Sequence, residues 1–115
     1  MARLLIVDDE APLLALLGRY LERRGYEVEL HGTPEAALAA FTAEPAKFDM
    51  LVTDLSLPGM NGEELIGQVR RKNPKLPAVI ASGYPYEPQA ANVQFLQKPF
   101  LPQMLVDLLE KALKR

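Results

Sequence analysis

Short apolar runs alternate with longer amphipathic stretches along this chain of 115 residues. Five runs have the length and composition of strands, at residues 3–7, 26–30, 49–53, 77–81 and 93–96. The first, third and fourth are almost continuously apolar, as expected for parallel strands that helices cover on both faces. The second run, YEVEL, alternates apolar and charged residues, which indicates an edge strand.

The stretches between these runs have helical spacing and recognisable ends. Helices are predicted at residues 11–24, 34–43, 62–72 and 101–113. Pro12 lies in the first turn of the first helix and Gly25 lies just past its end. Thr33 can cap the second helix, and Asn61 with Glu64 resembles a capping box for the third. Regular alternation of strands and helices predicts an α/β fold, with a doubly wound parallel sheet.

One connection departs from this alternation. The segment SGYPYEPQAAN between the fourth and fifth strands is about as long as the shortest parallel crossovers. Pro85 and Pro88 prevent a regular helix over most of it, because proline lacks the amide donor that a helix interior needs. We expect a shortened or irregular fourth helix here, with at most one helical turn near residues 88–91.

Composition narrows the class of protein. The length fits one domain, residues 1–115, and 49% hydrophobic residues allow a proper core. A net charge of −2 argues against nucleic acid as the main partner. The chain has no cysteine, which excludes disulfides and thiolate zinc sites. We see neither a membrane-spanning run nor a signal peptide, so we expect a cytoplasmic protein without membrane insertion.

Polar residues follow several of the predicted strands. Asp8 and Asp9 end the first strand, Asp54 ends the third, Ser82 ends the fourth and Lys98 follows the fifth. In an open parallel sheet, ligands bind outside the carboxyl ends of the strands. Each residue alone is weak support for a site, since an aspartate after a strand is usually a turn residue. Five of them at one edge predict a functional site.

The acidic members of this set need a compensating charge. Two unit charges about 4 Å apart repel by roughly 4 kcal/mol at an effective dielectric near 20. Clustered carboxylates without His or Cys suit a hard divalent cation. We predict a Mg²⁺ site, for which Mn²⁺ can substitute, with Asp9 and Asp54 as direct ligands. Asp8 is predicted to bind directly or through water.

Four segments make a family resemblance specific. IVDDE, VTDLSLPGMNG, IASG and FLQKPF resemble, in this order, the motifs of the receiver domain of two-component response regulators, the CheY-like family. The resemblance covers nearly the whole chain and implies a flavodoxin-like five-stranded parallel sheet of order 2-1-3-4-5. FLQKPF and ASGY also resemble receivers of hybrid histidine kinases. A free-standing receiver, a relay shuttle and a piece of a hybrid kinase are all compatible with the sequence.

The resemblance implies a role for each residue of the predicted site. Asp54 is the expected phosphoacceptor, which attacks the phosphorus of a phosphohistidine. The backbone carbonyl of Ser56 is the expected further metal ligand, and the metal neutralises the phosphoryl group during transfer. Lys98 is expected to pair with the phosphoryl oxygens. This chemistry is self-catalysed phosphotransfer and autodephosphorylation, not the turnover of a separate substrate.

The family also implies a conformational switch. Ser82 is expected to hydrogen-bond to the phosphoryl group and swing toward it. Phe95 stands at the family's switch aromatic and is expected to rotate inward as Ser82 moves. The Lys98–Pro99 peptide is expected to be cis.

The first helix has two apolar faces. The face assigned to the core carries Leu13, Leu16, Leu17, Tyr20 and Leu21. The face assigned to partner docking carries Ala11, Leu14, Ala15 and Gly18, with Pro99 nearby. We expect a histidine kinase or histidine phosphotransfer domain to dock on the second face. The unphosphorylated domain is expected to be a monomer, and the family's dimer through helix 4 is not expected.

Three alternatives stay open at this point. A receiver-like module that only binds partners has the same fold, although the complete set of five residues argues against it. A haloacid-dehalogenase-type phosphatase also uses an aspartate and Mg²⁺, but Ser56 stands where its second acid is required. A flavodoxin-type cofactor binder needs a phosphate-binding loop after the first strand, where this chain carries acids.

Overall fold

Five parallel strands form one sheet in the computed structural model, which describes residues 2–113. The strands are β1 (Arg3–Val7), β2 (Glu27–His31), β3 (Met50–Asp54), β4 (Ala78–Ser82) and β5 (Val93–Gln97). Their order is β2-β1-β3-β4-β5, and every neighbouring pair is parallel. The predicted doubly wound, flavodoxin-like sheet is confirmed.

Within residues 2–113, four helices cover the sheet. They are α1 (Ala11–Arg23), α2 (Pro34–Ala43), α3 (Gly62–Val69) and α4 (Pro102–Leu113), with a short 3-10 turn at Pro45–Lys47. The prediction for α3 extended to residue 72, but the helix ends at Val69. Residues 70–72 continue only as a hydrogen-bonded turn, in which the Lys72 N–H donates to the carbonyl of Val69. No helix within residues 2–113 is long and apolar enough to cross a membrane.

Both predicted helix caps are present. The Thr33 hydroxyl accepts a hydrogen bond from the Ala36 N–H at 3.1 Å. Asn61 and Glu64 form a full capping box, in which the Asn61 side chain accepts from the Glu64 N–H at 2.8 Å. The Glu64 carboxylate accepts from the Asn61 N–H at 2.9 Å. These bonds satisfy amide donors that would otherwise lack partners, and the capping box fixes the start of α3 at Gly62.

The core forms one layer on each face of the sheet. One layer contains Phe41 of α2 and Leu65 of α3, packed on Leu51 of β3. The other contains Leu21 of α1 and Leu105 of α4. Every residue of β3 and β4 is buried, which explains why both strands are apolar except for Thr53 and Asp54 of β3 and Ser82 of β4. The exceptions to that pattern therefore stand at the carboxyl edge.

The orientation of α1 differs from the sequence prediction. Leu14 is only 8% exposed and Gly18 is buried, whereas Leu13 and Leu16 are 52% and 61% exposed. The assignment of Leu14 and Gly18 to a docking surface was therefore wrong. Two apolar stripes overlap in this helix. The stripe that contains Gly18 faces the sheet, because glycine has no side chain and lets α1 approach β2 closely. A Cβ at Gly18 would lie 2.8 Å from Leu30 Cδ1.

The connection between β4 and β5 has an unusual form. In residues 83–92, all of which the structure describes, the backbone forms no helix. This agrees with the predicted loss of a regular fourth helix, for which at most one helical turn was expected near residues 88–91. Asn92 adopts a positive φ of 60° where the chain enters β5. We call residues 83–92 the strap.

Candidate functional site

Three carboxylates meet at the carboxyl edge of the sheet. Asp8 and Asp9 directly follow β1, and Asp54 is the last residue of β3, which pairs with β1. One carboxylate oxygen from each lies within 4.8 Å of the others. Asp54 is buried, Asp8 is half-buried and Asp9 is exposed. The arrangement leaves one side of the cluster open to solvent.

Lys98 places a positive charge in the middle of this cluster. Its Nζ lies 2.7 Å from Asp54 Oδ1, 3.4 Å from Asp8 Oδ2 and 3.7 Å from Glu10 Oε1. The Lys98–Pro99 peptide is cis, as predicted. The Lys98 N–H donates to the Ser82 carbonyl at 2.8 Å, which continues the β4–β5 pairing beyond the strands. Lys98 is thus fixed by its backbone beside the end of β4.

The environment shifts the pKa values of this ion pair. Burial raises the pKa of the Asp54 carboxyl, the hydrogen bond from Lys98 opposes that shift, and the charges of Asp8 and Asp9 add to it. Burial lowers the pKa of the Lys98 ammonium, but the hydrogen bond to Asp54 and the surrounding negative charges outweigh it, so the net direction is upward. The lysine therefore stays cationic and offsets part of the repulsion among the acids.

The backbone around the acids is held by several local hydrogen bonds. The Asp8 N–H donates to the His31 carbonyl at 3.2 Å, and Asp8 Oδ1 accepts from the Glu10 N–H at 2.9 Å. Thr53 is buried, and its hydroxyl donates to the Asp54 carbonyl at 2.9 Å. These bonds restrict the positions from which the Asp8 and Asp54 carboxylates project.

Gly62 is a site residue that sequence reasoning missed. A Cβ added to it would lie 2.2 Å from the Asp54 carbonyl oxygen and 3.1 Å from Leu55 Cα. The Gly62 N–H donates to the Leu55 carbonyl at 2.9 Å. The start of α3 therefore packs directly against the backbone of Asp54. The glycine after the capping Asn61 was the available signal, but the sequence alone does not show what lies opposite it.

Ser82 lies at the end of β4 and is buried. Its Oγ accepts a hydrogen bond from the Tyr84 N–H at 3.0 Å. The neighbouring Gly83 carbonyl accepts from Gln97 Nε2 at 3.0 Å, a contact that no sequence pattern indicated. β4 lies next to β3, with Ala81 opposite Asp54, so Ser82 extends one residue beyond the acid.

The remaining predicted residues lie around this edge. Ser56 is exposed in the loop two residues after Asp54. Phe95 is half-buried on β5, and its ring centroid lies 6.4 Å from that of Tyr86 in the strap. Ala11 and Ala15 are exposed on α1, and Pro99 is exposed beside Lys98.

The donor set fits a hard cation. Three carboxylates converge within 4.8 Å, and the group contains neither the imidazole nor the thiolate that zinc prefers. Mg²⁺ binds one or two protein carboxylates and keeps several waters, which the exposed side of the cluster can accommodate. Asp8, Asp9 and Asp54 therefore have the chemistry of a magnesium site.

The sequence matches the profile of the response regulator receiver domain over residues 4–110. The chain belongs to this family. Receivers are the phosphoacceptor signalling domains of two-component systems, and they bind Mg²⁺ at their acidic pocket. They interact with histidine kinases or phosphotransfer partners.

Curated relatives extend beyond the length of this receiver. The transcriptional regulatory protein FixJ of Rhizobium meliloti is 33% identical over 113 residues, which cover 93% of this chain and 54% of FixJ. The response regulator protein FleR of Pseudomonas aeruginosa is 30% identical over 116 residues, which cover 96% of this chain and 24% of FleR. The chain thus spans about half of the first relative and about a quarter of the second.

Solved receiver structures have the same fold. The receiver domain of the hybrid histidine kinase CckA matches with a TM-score of 0.90 and 30% identity, covering 98% of this receiver and 100% of that chain. The response regulator TrrA of Thermotoga maritima, solved in complex with Mg²⁺ and BeF, matches with a TM-score of 0.85 and 27% identity. That match covers 98% of this receiver and 100% of that chain.

Proposed function

We propose that Asp54 is the phosphoacceptor of this receiver and takes its phosphoryl group from a phosphohistidine. A carboxylate oxygen of Asp54 forms the new bond to phosphorus while the phosphorus–nitrogen bond breaks. The electron pair of that bond returns to the imidazole of the donor. The 2.7 Å ion pair between Lys98 and Asp54 inside the acidic cluster carries this proposal, because it puts a cation where phosphoryl charge would arrive.

The other residues of the edge have supporting roles in the proposal. Asp8, Asp9 and Asp54, with the backbone carbonyl of Ser56, would hold Mg²⁺ or Mn²⁺. When bound, the metal neutralises charge on the transferred phosphoryl group. Lys98 remains beside the phosphoryl oxygens as a point charge. The domain acts on its own phosphorylation and dephosphorylation and turns over no separate substrate.

Ser82 and Phe95 are proposed to form the switch. The Ser82 hydroxyl leaves the Tyr84 N–H and hydrogen-bonds to the phosphoryl group on Asp54. Phe95 then rotates inward into the space that this movement opens. The half-buried position of Phe95 on β5 supports this role, because the residue is neither fully buried nor fully exposed. Phosphorylation thereby shifts a two-state equilibrium.

Phosphorylation by a small-molecule donor tests the acceptor role. The wild type is incubated with acetyl phosphate and Mg²⁺, and its intact mass is measured. We expect the mass of one added phosphoryl group in the wild type and none in Asp54→Asn. Lys98→Ala should be phosphorylated more slowly, because the compensating charge is lost. Equal phosphorylation of Asp54→Asn and the wild type would refute the assignment.

The partner surface is proposed to be the groove between α1 and the loop that precedes α4. Leu13 and Leu16 line one side of this groove, and Pro99 and Phe100 line the other, around a cavity of about 670 Å³. Lys98 lies at its edge, next to Asp54. An apolar groove that reaches the acceptor suits the helices of a histidine kinase or a histidine phosphotransfer domain.

Leu16→Asp tests this surface. We expect much slower transfer from a histidine phosphotransfer domain that phosphorylates the wild type, while acetyl phosphate works normally. Ala39→Asp is the matched control, since Ala39 is exposed on α2, across the sheet. Unchanged transfer to Leu16→Asp would show that the partner docks elsewhere.

We further propose that residues 1–115 form one cytoplasmic receiver, monomeric before phosphorylation. The family's dimer face uses the helix that the strap replaces, so beryllofluoride with Mg²⁺ should not cause dimerisation through that face. Light scattering of the protein with and without beryllofluoride measures this. A dimer that forms on beryllofluoride binding and that a charge in the strap abolishes would contradict it.

A further inference from the structure

The strap is fixed at both of its ends. At its start, the Gly83 carbonyl accepts a hydrogen bond from the side chain of Gln97 at 3.0 Å. At its end, the Arg70 guanidinium donates to the carbonyls of Ala91 at 2.8 Å and Asn92 at 3.1 Å. The same guanidinium donates to the carbonyl of Leu76 at 2.8 Å and 3.0 Å, which ties it to the entrance of β4.

One side chain attaches the middle of the strap to the body of the domain. The Tyr86 hydroxyl donates to Glu63 Oε2 at 2.6 Å, in the first turn of α3. Within residues 84–90, all described, no other side chain has a hydrogen bond outside the strap, since the Gln89 amide donates to the Glu87 carbonyl. A cavity of about 110 Å³ lies between the strap and α3, and the Tyr86 ring is the part of the strap that packs against the core.

The bond between Tyr86 and Glu63 has the geometry of a strong hydrogen bond, because its acceptor is a carboxylate. Burial, together with the hydrogen bond to Glu63, raises the pKa of Tyr86 to about 12, so the hydroxyl remains a donor at physiological pH. The Tyr86 ring also lies against Phe95, tilted by 55°. Movement of the proposed switch ring therefore requires Tyr86 to adjust.

The strap also competes with the phosphoryl group for Ser82. The Ser82 hydroxyl, which accepts from the Tyr84 N–H at 3.0 Å, is the group that the proposed switch sends to the phosphoryl oxygens. When the Ser82 hydroxyl moves to the phosphoryl group, the Tyr84 N–H loses its acceptor and the start of the strap loses this contact with β4. A strap held in its present position therefore favours the arrangement in which the Ser82 hydroxyl accepts from the Tyr84 N–H.

We propose that the hydrogen bond between Tyr86 and Glu63 is an autoinhibitory latch that holds the strap against phosphorylation at Asp54. This inference rests on the proposed function of Asp54 and Ser82. Because coupling between two sites is reciprocal, a latch that opposes phosphorylation must also be weakened by a phosphoryl group. Removing the latch should therefore tighten the binding of a phosphoryl analogue.

Calorimetric titration with beryllofluoride in Mg²⁺ tests the latch. We expect Tyr86→Phe, which removes only the hydroxyl, to bind about fivefold tighter than the wild type, the scale of one hydrogen bond. Glu63→Gln should shift the affinity in the same direction, and the double variant should gain little beyond either single one. Tyr84→Phe is the matched control and should bind like the wild type, since its exposed hydroxyl has no hydrogen bond among the described residues.

Hydrogen exchange gives a second readout. Beryllofluoride should increase exchange of the Tyr84 amide, which donates to Ser82 Oγ in the structure, and Tyr86→Phe should show part of that increase without it. Unchanged or weaker beryllofluoride binding by both Tyr86→Phe and Glu63→Gln overturns the latch while leaving Asp54 in its role. A wild type that binds no beryllofluoride and gains no phosphoryl mass overturns the latch together with the proposed function.

Discussion

Gly62 shows how a single residue sets the position of Asp54, the proposed phosphoacceptor. Its backbone lies against the Asp54 carbonyl so closely that a Cβ would approach that oxygen to 2.2 Å. Neither group is the end of a flexible side chain, so the strain cannot be relieved by a rotamer change. The Asp54 backbone can keep its position, and so place the Asp54 carboxylate, only because residue 62 has no Cβ.

Gly62→Ala should displace the Asp54 backbone and destabilise the domain by about 1–3 kcal/mol, the usual range for overpacking. Phosphorylation by acetyl phosphate should slow as well. Urea unfolding measures the stability, and intact mass follows the phosphorylation. Gly67→Ala, in the same helix, is the control, because its Cβ meets nothing within 4 Å. It should gain about 0.5–1 kcal/mol from helix propensity. Equal free energies of unfolding for Gly62→Ala and Gly67→Ala would contradict the close approach of Gly62 to the Asp54 backbone.

Glu29 provides a pH-dependent contribution away from the site. It accepts hydrogen bonds from His31 Nε2 and Lys47 Nζ, each at 2.9 Å. The bond from His31, followed by that from Lys47, lowers the pKa of Glu29 below its ordinary value of 4.5. A carboxyl with a lowered folded-state pKa stabilises the fold above the unfolded value and loses that contribution as the pH falls through the folded value.

Glu29→Gln should therefore lower the free energy of unfolding at neutral pH by on the order of 1 kcal/mol. The difference between the variant and the wild type should shrink as the pH falls from 4.5 through the lower folded-state pKa, because the carboxyl becomes protonated first in the unfolded chain and then in the folded one. Urea unfolding across this pH range measures both quantities. A difference that stays constant down to the most acidic condition would exclude the carboxylate as its source.

At the scale of elements, periodicity predicted where helices lie but not always which face turns inward. The central strands were predictable because burial on both faces leaves a continuous apolar run. In α1 the sequence LLALLG offers two overlapping apolar stripes. Of the face assigned to the core, Leu21 is buried, but Leu13 and Leu16 are exposed, and Leu14 is buried instead. The approach of Gly18 to Leu30 decides the rotation, and that contact joins elements that the sequence pattern does not connect.

Two leucine truncations test the rotation of α1. Leu14→Ala should lower the free energy of unfolding by about 2–4 kcal/mol, because Leu14 is buried against the sheet. Leu16→Ala should change it by no more than about 0.5 kcal/mol, because the side chain is 61% exposed. Thermal or urea unfolding distinguishes them. The reverse ranking would restore the face first predicted from the sequence.

The part of the site that follows from the order and direction of the strands was predictable from the sequence. The rule that parallel strands end at a common edge predicted that Asp8, Asp9 and Asp54 would meet, with Lys98 beside them. Their individual roles stay predictions. The sequence could not indicate that Arg70 holds the end of the strap, or that Tyr86 reaches Glu63. Those contacts depend on the path of a segment without regular periodicity.

At the scale of the whole molecule, the fold concentrates negative charge at one edge of the sheet. Lys98 is close to Asp54, Asp8 and Glu10, but a single cation cannot neutralise three carboxylates. The domain is therefore expected to be less stable without a divalent ion, since an ion that binds only the folded state stabilises it by mass action.

Magnesium should raise the midpoint of thermal unfolding by several degrees over that in EDTA. At about 100 times the dissociation constant the gain is close to 2.7 kcal/mol. Asp9→Asn should remove most of this difference and should be more stable than the wild type in EDTA, because it relieves repulsion. Differential scanning calorimetry provides both comparisons. The same magnesium response in Asp9→Asn and the wild type would place the ion elsewhere.

Mapping the phosphoryl group tests the central claim most directly. The protein is phosphorylated with acetyl phosphate and Mg²⁺ and reduced with sodium borohydride, which converts an aspartyl phosphate to homoserine. Peptide mass spectrometry then locates the modified residue. We predict homoserine at residue 54 and at no other position. Modification at Asp8 or Asp9, phosphate on Ser82 or His31, or the absence of any modified residue would contradict the assignment of Asp54 as the acceptor.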